Sequence, residues 1–319
     1  MSNPAINSAF RTPQSAMSSS LLADEYAEVN GVRLHYVRAG RGPLMLFLHG
    51  FPEFWYEWKN QLPEFSRDHT VVAPDLRGYN LSSKPEDVAA YQMANLVEDV
   101  QALAASLLKS GGGSTFTLAG HDWGGVVAWV FAARHPEMLD RLVILNAPHP
   151  TIFARELREN AAQQQASQYM LLFRSAEAEA RLSENSYAWL KRAVFGAGAS
   201  DADTAAYVEA WSQPGALTGG LNYYRAAAIG PPPSGSTPSP APAIPPMMVR
   251  VPTLVIWGEK DTALLTGNLN GLDELVPKLT IKRIPDGTHW IAREKAAEVN
   301  AIIREFLAQP SESGRPPRR

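Results

Sequence analysis

An aspartate occupies the sharp turn of a strand–turn–helix motif near the middle of this 319-residue chain. Residues 118–125 read LAGHDWGG, in which a predicted strand ends in a Gly-x-Asp-x-Gly turn and a helix follows. This is the layout of a nucleophile elbow, where serine is the common residue at the position of Asp122. A serine that attacked a saturated carbon would leave an ether, whereas an aspartate leaves an ester that water can hydrolyse. The motif therefore predicts opening of C–X or C–O bonds at sp3 carbon.

The same aspartate has a simpler interpretation as a helix N-cap, because Asp caps helices often and the motif is short. Three glycines, at positions 120, 124 and 125, favour the nucleophile, since they let a strained turn form and let the helix pack close to the sheet. Backbone N–H groups at the helix N-terminus also favour a carboxylate there. The other motifs of the chain decide between the two interpretations.

Two later turns supply partners for the nucleophile. The predicted strand Thr253–Trp257 is followed by GEKD (residues 258–261), and the predicted strand Thr280–Ile284 by PDGTHW (residues 285–290). In enzymes with such an elbow, the acid and the histidine follow the nucleophile in that chain order. We therefore predict that Asp261 orients His289 and that His289 activates water.

Competing residues have other interpretations. Glu259 is an alternative acid, but it lies nearer the strand end. Asp286 is interpreted as shaping the Asp-Gly turn. His121 is expected to point away from the cavity, and His49 and His149 are expected to be structural or orienting residues.

A tetrahedral intermediate on the ester needs donors for its oxyanion. The backbone N–H of Trp123, which follows the nucleophile, is one candidate. The loop HGFPE (residues 49–53) offers the N–H of Phe51 as the other.

Composition excludes several classes of function. There are 29 basic and 32 acidic residues, so nothing indicates binding to nucleic acid or to an anionic membrane surface. The chain has no cysteine, which excludes disulfides, thiol catalysis and cysteine-ligated metals. We predict no metal and no cofactor. No apolar run approaches the ~18 residues of a membrane span, and the N-terminus lacks a signal-peptide core, so we expect a cytoplasmic protein.

Short apolar runs alternate with helical patterns, which predicts an α/β fold with a mostly parallel sheet. One helix is indicated by Leu96, Val100, Leu103 and Leu107, another runs from residue 124 toward 135, and a last one from 296 to 307. The predicted strands are Arg33–Val37, Leu44–His49, Thr70–Pro74, Phe116–Gly120, Leu142–Asn146, Thr253–Trp257 and Thr280–Ile284.

The strand pattern stops in the middle of the chain, where Ala, Gln, Glu and spaced aromatics predict a helical cap inserted over the carboxyl ends of the strands. A Pro-rich segment follows it. The predicted organisation is a disordered leader (1–23), a core (24–150 and 247–308), a helical cap (151–229), a Pro-rich linker (230–246) and a disordered tail (309–319).

The ordered set of motifs resembles the epoxide hydrolases of the α/β-hydrolase fold over roughly residues 24–307. Asn80 departs from the glycine expected there, which affects the shape of its loop. The resemblance implies a cis bond before Pro52 and an α/β-hydrolase core with an inserted cap. The motifs that carry it are HGFPE (49–53), DLRGY (75–79) with SSKP (82–85), GHDWGG (120–125), WGEKD (257–261) and GTHW (287–290).

The resemblance also implies two cap tyrosines that hold and protonate the epoxide oxygen. The segments QYMLLFR (168–174) and ALTGGLNYYR (216–225) look like those of the family, which assigns the roles to Tyr169 and Tyr224. Tyr223 is expected to pack. The substrate, a small epoxide, would contact Phe51, Pro52, Trp123 and Trp290, and the protein would be a monomer or homodimer.

Two alternatives remain open. Haloalkane and haloacid dehalogenases use the same aspartate chemistry, but those enzymes carry other residues where this chain has Phe51, His121, Trp123 and Gln168-Tyr169. A non-catalytic ligand-binding protein on a hydrolase scaffold is the second alternative, because fold does not fix function.

Overall fold

A computed structural model describes residues 22–196, 198–227, 229–232 and 245–310 of the chain. Within these residues, eight strands form one sheet. In chain order they are β1 (Ala23–Val29), β2 (Val32–Ala39), β3 (Leu44–Leu48), β4 (Thr70–Pro74), β5 (Phe116–His121), β6 (Leu139–Leu145), β7 (Thr253–Gly258) and β8 (Leu279–Ile284).

The strands lie in the order β1-β2-β4-β3-β5-β6-β7-β8. From β4 to β8 across the sheet, all neighbouring strands are parallel, whereas β1 and β2 add an antiparallel edge. Every residue of β3, β5 and β7 is buried, as expected for parallel strands that helices cover on both faces. The predicted α/β class is confirmed.

The edge strand β1 was not predicted. Its residues are mostly polar and exposed, so no apolar run marks it. It pairs with β2 through a two-residue turn, in which Asn30 and Gly31 both have positive φ. Asn-Gly is typical of such hairpins because both residues tolerate this conformation. The strand begins at Ala23, one residue inside the predicted leader.

Helices of the core cover both faces of the sheet. In α2 (Met93–Gly111) the four residues of the predicted apolar stripe are all buried, and Gly112 ends the helix with φ +76°. None of the described helices is long and apolar enough to cross a lipid bilayer. The core helices are α1 (Leu62–Phe65), α2 (Met93–Gly111), α3 (Asp122–Arg134), α10 (Leu272–Leu275), α11 (Ile291–Glu294) and α12 (Ala296–Leu307), with 3-10 turns at Trp55–Trp58, Val88–Tyr91, Pro136–Met138 and Thr266–Leu269.

Among the described residues, six helices inserted between β6 and β7 form the cap. The first begins at Pro150, one residue before the predicted start of the cap. Residues 1–21, 233–244 and 311–319, which hold most of the predicted leader, linker and tail, lie outside the described residues. The cap helices are α4 (Pro150–Glu159), α5 (Ala161–Ala166), α6 (Tyr169–Arg174), α7 (Ala178–Phe195), α8 (Asp201–Trp211) and α9 (Ala216–Ala226).

The order of strands fixes where a site can form. After β3 the chain moves to β4 on one side, whereas after β5 it moves to β6 on the other, and β3 and β5 are neighbours. In open α/β sheets, ligands bind outside the carboxyl ends of strands at such a switch point. The loops that follow β3 and β5 contain Phe51 and Asp122.

His149, at the junction of core and cap, predicts a pH-dependent stability. Its Nδ1 accepts the N–H of Thr151 at 3.3 Å and so caps α4. Burial lowers the pKa of its imidazole to about 4. Between about pH 6.5 and 4, unfolded chains bind a proton at this position that folded ones do not, so the free energy of unfolding decreases as the pH falls. At pH 5 the loss is about 2 kcal/mol.

Urea unfolding of wild type and His149→Asn at pH 7 and pH 5 measures this contribution. Asn is a good N-cap residue and does not titrate, so the variant should lose about 2 kcal/mol less between the two pH values. An equal loss in the two proteins would contradict the assignment.

Candidate active site

Asp122 lies at the elbow between β5 and α3, and its backbone is strained. Its φ is +48°, in the left-handed region that L-residues rarely adopt. At this turn α3 lies so close to the sheet that a Cβ on Gly124 would be 2.3 Å from the carbonyl oxygen of Leu48. The elbow holds the Asp122 side chain, 12% exposed, above the strand ends.

The loop after β3 contacts the Asp122 carboxylate directly. The N–H of Phe51 donates to Asp122 Oδ1 at 2.8 Å. The bond between Phe51 and Pro52 is cis. A Cβ on Gly50 would lie 2.3 Å from the Asp122 Cβ, so only glycine fits between this loop and the elbow. Trp123 is in the first turn of α3, where backbone N–H groups have no acceptor within the helix.

His289 and Asp261 form a hydrogen-bonded pair beside Asp122. His289 Nδ1 and Asp261 Oδ2 are 2.7 Å apart, and His289 Nε2 lies 3.7 Å from Asp122 Oδ2. A proton on Nδ1 leaves Nε2 as the acceptor facing the Asp122 carboxylate. The competing acids lie elsewhere: Glu259 pairs with Arg283 at 3.1 Å, and Asp286 pairs with Lys295 at the surface.

Asn146, at the end of β6, is a further part of this pair that the sequence did not reveal. Its Nδ2 donates to Asp261 Oδ2 at 2.8 Å. Asp261 Oδ1 accepts the N–H groups of Ala263 and Leu264 at 2.8 and 2.9 Å. Although burial alone would raise it, the pKa of Asp261 is lowered by His289 and these donors. The carboxylate is therefore kept charged toward the imidazole.

Tyr169 on α6 and Tyr224 on α9 face Asp122 from the cap. Their ring centroids are 6.2 Å apart, and the Tyr224 ring packs edge-on against Trp123 at 5.1 Å. Burial, and then the charge of Asp122, raises the pKa of both phenols well above its usual value. Both hydroxyls thus stay protonated and can act as hydrogen-bond donors. The hydroxyl of the neighbouring Tyr223 instead donates to the carbonyl of Arg77 at 2.9 Å.

Two chambers of one cavity meet at Asp122, Tyr169 and Tyr224. The larger, about 380 Å³, is mostly apolar and extends along Trp123 between α2, α3 and α9. The smaller, about 270 Å³, contains the catalytic histidine candidate. Its lining is Phe51, Pro52, Ala166, Phe173, Trp189, Ala193, Thr262, Ala263, His289 and Trp290, besides the three shared residues.

A buried cluster of three ionisable residues, Glu53, Glu57 and His121, lies beside the site and contacts the backbone of His289. His121 Nδ1 lies 2.6 Å from Glu57 Oε1, and His121 Nε2 lies 2.9 Å from the carbonyl oxygen of His289. His121 lines neither chamber, and its ring packs 4.6 Å from that of His289. The cluster therefore fixes the backbone that carries His289.

The charges of this cluster balance one another. Burial alone would lower the pKa of His121, but Glu57 and Glu53 raise it well above its usual value. Burial and the charge of Glu53 raise the pKa of Glu57. Burial acts in the same direction on Glu53, but His121, Glu57 and Arg293 lower the pKa of Glu53 below its usual value. One carboxylate oxygen each of Glu53 and Glu57 and one ring nitrogen of His121 lie within 4.8 Å of one another. The spacing of these residues in the sequence did not indicate this grouping. These atoms serve one another as ion-pair partners, and Glu53 Oε1 also accepts the hydroxyl of Tyr207 at 2.7 Å.

The loop that begins at Asp75 explains why Asn80 can stand where the resemblance to epoxide hydrolases predicts a glycine. Asn80 has φ +38°, which Asn tolerates better than most residues. Its Nδ2 donates to Asp75 Oδ2 at 2.8 Å, and His35 Nδ1 lies 2.6 Å from the same oxygen. The side chain thus adds a contact that a glycine at this position would lack. His49 accepts the N–H of Leu76 at 3.0 Å and is structural.

Comparison with known proteins agrees with this geometry. A family model described as the alpha/beta hydrolase fold matches residues 43–296. The AB hydrolase superfamily protein YfhM of Bacillus subtilis (strain 168) is 38% identical over 294 residues, which span 89% of this chain and 97% of that protein. Epoxide hydrolase 3 of Xenopus tropicalis is 39% identical over 88% of this chain and 76% of that protein. A similar solved structure is that of the F128A mutant of an epoxide hydrolase from Bacillus megaterium, complexed with its product (R)-3-[1]naphthyloxy-propane-1,2-diol. The two sequences are 37% identical, and the superposition covers 89% of this chain and 100% of that one with a TM-score of 0.80. The chain therefore belongs to the α/β-hydrolase fold and, within it, to the epoxide hydrolases.

Proposed function

We propose that this enzyme converts epoxides to vicinal diols through a covalent ester on Asp122. In the first step, an Asp122 oxygen forms a bond to one oxirane carbon while the bond from that carbon to the ring oxygen breaks. Tyr169 and Tyr224 hold the ring oxygen, and one of the two phenols transfers its proton to it. Donors that are already in place as this charge develops lower the barrier.

In the second step, water hydrolyses the ester. His289 Nε2 takes a proton from water as the water oxygen attacks the Asp122 carbonyl carbon. The amides of Phe51 and Trp123 stabilise the oxyanion, and Asp261 stabilises the imidazolium. When the intermediate collapses, His289 protonates the leaving alkoxide, and the second proton of the water returns to the tyrosine as Asp122 becomes a carboxylate again.

One observation carries this proposal. The Asp122 carboxylate accepts the N–H of Phe51 at 2.8 Å, lies 3.7 Å from His289 Nε2 and shares its cavity with two protonated cap phenols. The phenols favour an epoxide over a haloalkane, because a halide leaves as an anion and needs no proton. The apolar lining of the larger chamber favours a neutral, apolar substituent. The aryloxy diol that the Bacillus megaterium relative binds is of this kind.

A single turnover in ¹⁸O-water, with enzyme in excess over styrene oxide, tests the ester. The diol should contain the unlabelled Asp122 oxygen, and the label should appear in the peptide that contains Asp122. Repeated turnovers of the recovered enzyme in the same water should then give labelled diol, which is the internal control. Label in the diol of the first turnover would contradict the covalent mechanism.

A further inference from the structure

A third cavity lies behind the smaller chamber, on the outer side of α7. Its volume is about 340 Å³, and its lining residues are mostly exposed to solvent. Trp189 is the one described residue that lines both this outer cavity and the smaller chamber. The Trp189 indole therefore separates the outer cavity from the smaller chamber and forms the wall between them. The other lining residues of the outer cavity are Leu172, Arg181, Leu182, Glu184, Asn185, Ala188 and Arg192.

The neighbouring backbone sets the position of Trp189. Helix α7 is broken at Glu184–Tyr187, where Asn185, Ser186 and Tyr187 have φ of +50°, +54° and +61°. Left-handed L-residues cost roughly 1–2 kcal/mol each, so other contacts must hold this turn. The Tyr187 hydroxyl lies 3.4 Å from the carbonyl oxygen of Trp211 and accepts the Ser212 hydroxyl at 3.2 Å. The turn, anchored to α8 in this way, directs the next stretch of α7, with Trp189, toward the site.

The inner face of the wall contacts Phe173, which in turn packs against Tyr224. The Trp189 ring packs edge-on against Phe173 with centroids 5.6 Å apart, and Phe173 packs against Tyr224 at 4.9 Å. Trp189 is therefore held in place in the lining of the smaller chamber, which also contains His289. The larger chamber, on the opposite side of Asp122, does not include Trp189.

We propose that Trp189 determines substrate specificity by limiting the length of the substituent on the His289 side of the oxirane. The preferred substrate carries a bulky apolar group on one carbon, which occupies the larger chamber, and hydrogen or a short chain on the other. This inference rests on the proposed function, because it assumes that the oxirane lies between Asp122 and the two phenols.

A series of epoxides with one constant arm and one growing arm tests the inference. The constant arm is (1-naphthyloxy)methyl, and the other carbon carries hydrogen, methyl, propyl, pentyl or heptyl. We expect kcat/KM of the wild type to fall steeply along the series. Trp189→Ala joins the smaller chamber to the outer cavity, and each methylene that gains room contributes roughly fourfold. Heptyl exceeds methyl by six methylenes, so the ratio of kcat/KM for heptyl to that for methyl should rise at least about a hundredfold in this variant, the value for three to four methylenes that gain room.

Two further variants complete the test. Leu172→Ala enlarges only the outer cavity and leaves the wall in place, so its heptyl-to-methyl ratio should equal that of the wild type. Ala193→Leu fills the smaller chamber without creating a hole, and the ratio for propyl to methyl should fall about tenfold. Even if Trp189→Ala does not fold, this second shift tests whether the growing arm occupies the chamber that Trp189 closes.

The outcomes separate this inference from the proposed function. Unchanged length profiles in Trp189→Ala, or in Ala193→Leu where the first variant does not fold, would overturn the role of Trp189. If the wild type does not hydrolyse the unsubstituted parent epoxide, and no ester forms on Asp122, the proposed function itself is wrong.

Discussion

Replacing His289 by Gln should cause the ester between Asp122 and the opened epoxide to accumulate. Glutamine fills the same space but cannot take a proton from water, whereas the attack of Asp122 on the epoxide does not need that proton transfer. Loss of the general base should slow the hydrolytic step by about 10⁴-fold. Intact mass after incubation with styrene oxide should increase by the mass of one epoxide, with almost no steady-state turnover.

The double variant Asp122→Ala/His289→Gln is the matched control and should show no increase in mass. Digestion should place the adduct of the single variant on the peptide that contains Asp122. An adduct on another residue, or no adduct at all, would rule out the assignment of the two steps. The geometry favours accumulation of the ester without disturbance of the elbow. His289 Nε2 is 3.7 Å from the Asp122 carboxylate and makes no contact on which the elbow depends.

Converting both Tyr169 and Tyr224 to Phe should abolish the alkylation of Asp122 by epoxides. The ring oxygen would then develop negative charge in an apolar cavity with no cap hydroxyl to donate a hydrogen bond. Removal of one donor of this kind costs about 10²–10³ in rate, so the double variant should lose about 10⁴-fold or more. Rapid-quench measurement of ester formation, in a His289→Gln background, isolates this step.

Tyr223→Phe is the control for loss of a hydroxyl in the same helix. Its hydroxyl donates to the carbonyl of Arg77 outside the cavity, so the alkylation rate should change little while stability falls by about 1 kcal/mol. A near-normal alkylation rate in the Tyr169/Tyr224 double variant would show that the cap phenols are not the donors.

The proposed nucleophile, acid and base were predictable because each is marked by local sequence. The elbow of Asp122 and the turns that contain Asp261 and His289 all follow predicted strands, and parallel strands bring their carboxyl ends to one edge of the sheet. The cap tyrosines had no such mark. Only resemblance to a family assigned Tyr169 and Tyr224, because aromatics spaced along a helix usually pack.

Other parts of the site depend on long-range packing that sequence spacing does not show. Glu53 and Glu57 are close to each other in sequence, but His121 comes much later, so their meeting depends on the neighbouring positions of β3 and β5. Asn146 sits at the end of a predicted strand, and its strand-end position is the signal that would have found it. The role proposed for Trp189 arises from a broken helix within the cap, for which the sequence has no proline or glycine as a marker.

The buried cluster of Glu53, Glu57 and His121 has a consequence for how the molecule melts. Glu53 takes the hydroxyl of Tyr207 from cap helix α8 and lies 3.7 Å from Arg293 of α11, while Glu57 accepts the N–H of Gly50. If the cap detached, Glu53 would lose the hydroxyl of Tyr207 but would keep His121 and Arg293, which belong to the core. A buried carboxylate that loses a hydrogen-bond donor costs about 1–3 kcal/mol. Detachment of the cap and loosening of the loop that contains Glu53 should therefore be thermodynamically coupled.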